Sequence, residues 1–458
     1  MLALAALLAL QAAQEPPPPA ADGRVTAGPD RHSAVLIQVS GHIDVHYLLR
    51  DGPLNEAGAA LNGLPPETSS TSAWAGRASL RADVSLKDAV SGVLELENRS
   101  FDDGYNLPFA SDPEEDGFAL KQAYIEAGAF LSSALALRIG VQDITCRNRP
   151  HDEPFFLDLG ESEGFHEGFS PAGGGHVRNT VDRDVQEAVG AKLTWSPADF
   201  AMAQAFWTVY QENGPSSDDE SIAAIFLNAQ TSESLAFWLM GALVSGGADP
   251  DLGRIWTVGA GADGYLWGKS LELFGEAYVQ RGELVDADRD IRRRAWAGQA
   301  GLRCYDLPVD RLWVEGAAAL RSGNNGTDDG VDESFESCEN ENRFLVMQSA
   351  EFGLDVDTNL RLFRAAAGWS LADPAVRFQV DAGYFRADAP LRDAAGARLT
   401  DERQWGLETD VTVRWSYNDS LLFWIQGAWL ANAWIVEDLT RDGDDGAGVF
   451  VAGADLKF

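Results

Sequence analysis

From residue 34 onward the chain alternates between apolar and polar positions. In AVLIQVSGHIDVHYLLR the odd positions Val35, Ile37, Val39, Gly41, Ile43, Val45, Tyr47 and Leu49 form an apolar series. The even positions are mostly polar, with His42, Asp44, His46 and Arg50 among them. A period of two belongs to a strand with two unlike faces, because successive Cβ atoms point to opposite sides. The pattern recurs at 74–86, 376–386 and 405–417, and again in Phe450, Ala452, Ala454, Leu456 and Phe458. A soluble β-sandwich alternates too, so other features must decide. The strands are as long as a tilted bilayer crossing requires, or longer. Their polar face carries full charges, such as Arg81, Glu95, Glu126, Arg138, Glu276, Arg377 and Asp410. Aromatics such as Tyr47, Trp74, Tyr384, Trp415, Tyr417 and Trp429 gather towards strand ends, as interfacial girdles do. Together these predict an all-β fold, a transmembrane antiparallel β-barrel.

Strands are expected near 34–50, 73–86, 90–99, 119–128, 134–142, 185–195, 200–210, 221–229, 234–244, 255–265, 271–280, 294–304, 311–321, 359–371, 375–386, 404–417, 421–434 and 448–458. Alternation is weakest at 200–210 and 221–229. Short turns such as Tyr417–Ser420 alternate with long acidic loops near 51–72, 100–118, 143–184, 322–350 and 387–403. Counting EFGLDVD at 351–357 as a strand would put the two chain ends on opposite sides. Treating it as loop gives about eighteen strands, an even number that closes a single-chain barrel with short periplasmic turns and long extracellular loops.

Charge and the N-terminus refine this picture. With 71 acidic and 35 basic residues the net charge is −36, which leaves no basic surface for nucleic acid. Most of the acidic excess falls in the loops. Residues 1–14 have the apolar run of a signal peptide, and the Pro-rich segment 15–33 reads as a periplasmic spacer before a barrel over 34–458. No cysteine lies near the expected cut, so no lipid anchor is expected. Cys146, Cys304 and Cys338 show no metal or redox spacing, and a bridge between Cys146 and Cys338 stays open.

Pore-lining candidates are the charged and polar residues expected to face inward: Arg77, Arg81, Glu126, Arg138, Gln142, Glu276, Arg321, Arg377, Glu408, Asp410 and Arg414. The arginines either guide carboxylate-bearing solutes or pair with wall carboxylates and simply keep the lumen polar. His42, Asp44 and His46 share a face because the strand alternates, so no active site is needed to explain them. Arg289, Arg292, Arg293 and Arg294 are expected at a loop end, where they either form a basic mouth or, the preferred reading, balance Asp286, Asp288 and Asp290. The loop 143–184, with His151, His166 and His176, is long enough to fold inward as a plug, and its spacing matches no metal motif. RDGDDGAG at 441–448 lacks the spacing of a calcium loop. Neither a catalytic motif nor a cofactor motif stands out, so no enzyme, metal or cofactor is expected.

Several segments resemble the alginate export family of outer-membrane barrels. Gln122, Ala123, Tyr124 and Glu126, then Leu137, Arg138, Gly140 and Gln142, follow one family pattern, with the leucine offset by one. Ala295-Trp296-Ala297, Arg321-Ser322-Gly323 and Phe335 follow a second, with Asn324 where the family has an acid. Gly406, Glu408 and Asp410 follow a third. The resemblance implies an eighteen-stranded monomer in the outer membrane that passes an anionic polysaccharide. Its expected partners are the lipid bilayer, lipopolysaccharide and periplasmic export components. The alternatives are an uptake porin for sugars or ions and, from another class, a secreted soluble β-sheet binding protein.

Overall fold

The computed structural model describes residues 35–50, 71–86, 90–99, 118–142, 189–198, 200–211, 220–232, 234–245, 254–286, 289–305, 311–324, 330–335, 344–348, 358–371, 375–392, 398–440 and 445–458, with Leu54, Ala57, Leu307, Val309, Leu354, Val356 and Gly443 between them. The expected signal peptide, the Pro-rich segment, Cys146, Cys338 and the loop 143–184 lie outside the described residues.

In chain order the strands are β1 (Val35–Arg50), β2 (Thr71–Leu86), β3 (Val90–Arg99), β4 (Phe118–Ala127), β5 (Leu135–Val141), β6 (Val189–Ala198), β7 (Ala201–Gln211), β8 (Glu220–Ser232) and β9 (Leu235–Ser245). The second half holds β10 (Arg254–Leu266), β11 (Leu271–Asp286), β12 (Arg289–Cys304), β13 (Leu312–Arg321), β14 (Val331–Asp332), β15 (Leu360–Ser370), β16 (Ala375–Ala387), β17 (Gln404–Ser416), β18 (Leu421–Ala431) and β19 (Ala447–Lys457). Each long strand pairs antiparallel with the next, and β1 closes the ring on β19 through the register His42–Lys457 to Arg50–Val449. β14 is different: two residues of the β13–β15 loop lie parallel against Arg292 and Arg293 of β12. Removing it from the nineteen strands of the sheet leaves a closed eighteen-stranded barrel. Both described chain ends, Val35 and Phe458, lie on the side of the short turns.

The alternation is realised inside out. On β9, Leu239 is 55% exposed whereas its neighbours Trp238 and Met240 are 2% and 3% exposed. On β1, Val35, Ile37, Val39 and Leu49 are exposed while Asp44, His46 and Arg50 are buried. A water-soluble protein would reverse this arrangement. An apolar outer band matches hydrocarbon, and closure leaves no long row of unpaired backbone groups to lipid. No helix among the described residues is long and apolar enough to cross a membrane, which says nothing against crossing by strands. Exposed Trp195, Phe200, Trp267 and Tyr417 stand at the short-turn ends of their strands, and Trp207, Trp256 and Trp429 towards the other rim. Leu239→Arg, near the middle of β9, should therefore destabilise the barrel by about 2–4 kcal/mol. Gln230→Arg, on the inward parity of β8, should stay within about 0.5 kcal/mol. Urea unfolding in lipid vesicles reads both, and equal losses would contradict the assigned faces.

Two details differ from expectation. The strand expected over 421–434 ends at Ala431, where Asn432 adopts φ 55°, and the chain then forms the short helix α1 (Trp434–Leu439). Its Ile435 and Val436 are fully buried. The arginines expected at a loop end belong to β12, whose hairpin with β11 extends to Asp286–Arg289. Arg292 and Arg294 are exposed, whereas Arg293 points inward and pairs with Asp332 at 3.3 Å and with the Ser334 carbonyl. The inserted loop thus supplies a counter-charge to Arg293, while Asp288 and the side chains of Asp286 and Asp290 lie outside what the structure describes. Of the segment 441–448, the last two residues open β19, and Arg441, Asp442 and Asp444 lie outside the described residues.

Candidate functional site

The site is the lumen, which changes character along its length. Towards the long-loop side it is filled. Leu54, Ala57, Phe344, Leu345, Val346, Met347, Leu354, Val356, Leu391, Ile435 and Val436, all from connecting segments, form one buried apolar cluster with the inward Leu48, Leu360, Leu362, Phe385, Trp405, Leu430, Val449 and Val451 of the wall. The β13–β15 connection contributes most to it. It includes the stretch 351–357 that sequence parity assigns to loop, and the described Leu354 and Val356 lie in no strand.

Three consecutive amides of this loop bind two wall carboxylates. Val346 N–H donates to Glu408 Oε1 at 2.6 Å, Met347 N–H to Oε2 at 2.9 Å, and Leu345 N–H to Asp410 Oδ2 at 3.0 Å. Both carboxylates are fully buried. They lie two residues apart on one strand face, so alternation alone aims both at the loop. Successive N–H groups of a turn make a nest for acceptor oxygens, and here the wall supplies them as a pair of adjacent carboxyl groups. Gly383 makes room nearby: a Cβ there would come within 2.7 Å of Phe344, which meets Phe385 edge-on at 4.9 Å between ring centroids. Gly406, at φ +124°, sits where the β16–β17 register slips, a backbone state that favours glycine.

The ends of the loop are tied as well. Ser322 Oγ accepts the Trp296 amide at 3.0 Å and donates to the Glu333 carbonyl at 2.6 Å. Gly323 N–H donates to Asp388 at 3.1 Å, and Thr358 Oγ1 donates to the Phe335 carbonyl at 2.5 Å. Phe335 completes a second apolar cluster with the inward Phe206, Phe226, Trp238 and Tyr278. Its ring lies 6.1 Å from that of Tyr278.

Towards the short turns the lumen is polar, and the sequence-derived candidates separate into groups. Arg81 pairs with Asp83 at 3.0 Å and with Glu95 at 3.2 Å, and Arg138 with Glu126 at 2.7 Å while lying over the Tyr124 ring. Glu276 accepts from Tyr278 at 3.1 Å and from Gln299 at 2.5 Å. Gln142 is buried and donates to the Gly190 carbonyl at 3.1 Å. Arg321 is buried where β13 runs into the inserted loop. Glu408 and Asp410 are the loop clamp. Arg77 holds the register position opposite Asp44. Arg377 and Arg414 stand directly opposite each other in register, both exposed, and neither makes a hydrogen bond or ion pair to another described residue.

The opening histidines are wall residues. His46 Nδ1 lies 2.9 Å from Asp44, His42 Nε2 lies 2.8 Å from Asp455, and no metal-like grouping of three occurs among the described residues. Cys304 is a free thiol.

Sequence reasoning missed one charged cluster of the wall. Glu315 is held between Arg303 and Arg364, at 2.7 Å and 2.8 Å. Arg303 reaches Tyr305 at 3.3 Å, and Tyr305 donates to Glu272 at 2.6 Å. These residues stood on the inward parity and could have been found by following it through β11, β12, β13 and β15.

A closed inside-out barrel with a charged lumen and an inserted loop has the architecture of an outer-membrane porin. Solved structures share it at low identity. OccAB2 of Acinetobacter baumannii is 12% identical with a TM-score of 0.55, over 92% of this chain and 98% of that one. OccK8 (OprE) of Pseudomonas aeruginosa is 11% identical with a TM-score of 0.54, over 92% and 98%. OpdK of the same organism, solved with vanillate, is 9% identical with a TM-score of 0.53, again over 92% and 98%. No family model and no curated protein matches the chain. The shared fold and the apolar exterior place the protein in the outer membrane. The likeness extends to outer-membrane barrels of the Occ type and does not single out the alginate export family.

Proposed function

We propose that the protein is a channel for passive diffusion of small hydrophilic solutes, with a preference for carboxylates, rather than an exporter of polysaccharide. The observation that carries this reading is the loop clamped into the lumen by Glu408 and Asp410, which narrows the path towards the long-loop side. Small solutes suit such a path better than a polymer does. Arg377 and Arg414 present two guanidinium groups to the polar lumen, a geometry that suits forked pairing with a carboxylate. OpdK, of the same fold, was solved with vanillate, itself a carboxylate. Export remains the second reading because the motif segments around Ser322, Phe335 and Glu408 converge on one loop and its anchors.

Planar-bilayer recordings in a salt gradient test the proposal. Wild-type channels should favour chloride over potassium, and Arg377→Glu with Arg414→Glu should lower that ratio about tenfold, the effect of roughly 1.4 kcal/mol. Cation selectivity in the wild type, or passage of polyuronate oligomers without block, would refute the small-carboxylate reading.

A further inference from the structure

The membrane-facing wall is interrupted where the barrel closes. Ala452 and Ala454 of β19 point outward between much larger neighbours. Ala452 lies opposite Ile425, and Ala454 opposite Phe423 on one side and Val45 on the other. Two methyl groups flanked by branched and aromatic side chains on adjoining strands leave a trough about two strand spacings, roughly 10 Å, across. Trp415, stacked on Phe423 with centroids 5.5 Å apart, closes one end, and the hollow has a volume of about 510 Å³. Apart from the indole N–H groups of Trp415 and Trp424 the side chains that wall the trough are apolar, and Tyr47, in register with Ala452, stands at its β1 edge.

Its depth identifies the occupant. The trough lies in the half of the barrel nearer the short turns, and beyond Trp415 stands Tyr417, 62% exposed and edge-on to Trp415 at 5.6 Å. Exposed Trp and Tyr at a strand end mark the headgroup level, with a polar tip towards water and an apolar body towards hydrocarbon. The trough is therefore continuous with the lipid-facing band and opens towards the periplasmic headgroup layer.

The geometry points to a resident phospholipid of the periplasmic leaflet, one acyl chain lying along Ala452 and Ala454 and its headgroup beside Trp415 and Tyr417. The inference concerns the outer wall and does not depend on what crosses the lumen. It also accounts for the two alanines at positions where neighbouring strands carry larger residues, since each missing methylene is replaced by one from the lipid.

Native mass spectrometry of the full-length protein in mild detergent, titrated with palmitoyl-oleoyl phosphatidylethanolamine, tests it. Ala454→Trp fills the trough, and Val258→Trp, on the outward face of β10, is the control for an added indole. Heat-modifiable gel migration confirms that each barrel is folded, and Ala452→Phe serves if Ala454→Trp is not. The wild type and Val258→Trp should each retain one lipid at collision energies that strip the rest. The trough-filling variant should need about tenfold more lipid for the same occupancy, the loss expected from displacing a few methylenes. Equal retention by all three folded proteins would overturn the inference. So would a wild-type dimer without lipid that the trough-filling variant breaks, which would make the trough a contact between copies.

Discussion

Replacing Glu408 and Asp410 together by alanine should raise single-channel conductance severalfold while leaving the barrel folded. The two carboxylates accept three loop amides at 2.6–3.0 Å in a buried setting. Two buried carboxyls side by side share a proton, so a bond to the neutral partner contributes about 0.5–1.5 kcal/mol and one to the charged partner about 1.5–3 kcal/mol. About 5.5 kcal/mol moves a two-state loop from 1:99 to 99:1, and losing all three bonds, about 3–6 kcal/mol in sum, shifts the population most of that way. Glu408→Gln with Asp410→Asn keeps acceptor oxygens without the charge and should give an intermediate conductance. Limited chymotrypsin digestion offers an independent readout, because Phe344 is 1% exposed in the clamped loop and becomes accessible on release. Unchanged conductance together with continued protection of Phe344 would show that apolar contacts alone hold the loop.

The same loop explains which parts of the fold could be read from sequence. β1, β16 and β17 alternate clearly because much of one face meets lipid and much of the other meets a polar lumen. β7 and β8 alternate poorly for a structural reason: their inward residues include Phe206, Ile222, Ala224 and Phe226, which lie in the apolar cluster completed by Phe335. β15 shows the same effect. Its inward series starts with Leu360 and Leu362, against the inserted loop, and turns polar only at Arg364. Binary patterning reports the burial of a face, and a face covered by a returning loop looks apolar wherever it points. The strand number survived because parity constrains it independently of pattern. The clamp residues were legible as inward carboxylates, but their role was not, since their partners are backbone amides about sixty residues away whose side chains carry no corresponding signal. Glu315 escaped notice for a related reason: its neighbours on β13 are mostly alanine, so its face had little polar character.

Glu315→Ala should be the most destabilising single substitution among the wall residues, by about 3–5 kcal/mol. The Glu315 side chain is fully buried between Arg303 and Arg364, whose side chains are 19% and 3% exposed. Removing the carboxylate leaves two buried guanidinium groups facing each other without their shared counter-charge. Arg303 keeps Tyr305 and the face of Trp313, 5.1 Å from the ring centroid, which softens the loss on its side. Glu315→Leu combined with Arg364→Met should recover much of the loss, because a matched apolar pair replaces a buried ion pair at little cost when both partners are removed. Arg81, part-exposed and shared between the part-exposed Asp83 and the buried Glu95, provides the milder contrast, and Arg81→Ala should cost about 1–2 kcal/mol. Urea unfolding in lipid vesicles, followed by tryptophan fluorescence and by heat-modifiable migration, ranks the four proteins. If Glu315→Ala unfolds no earlier than Arg81→Ala, water reaches the Arg303–Glu315–Arg364 bridge, and this stretch of wall belongs to the open lumen rather than to the barrel's internal scaffold.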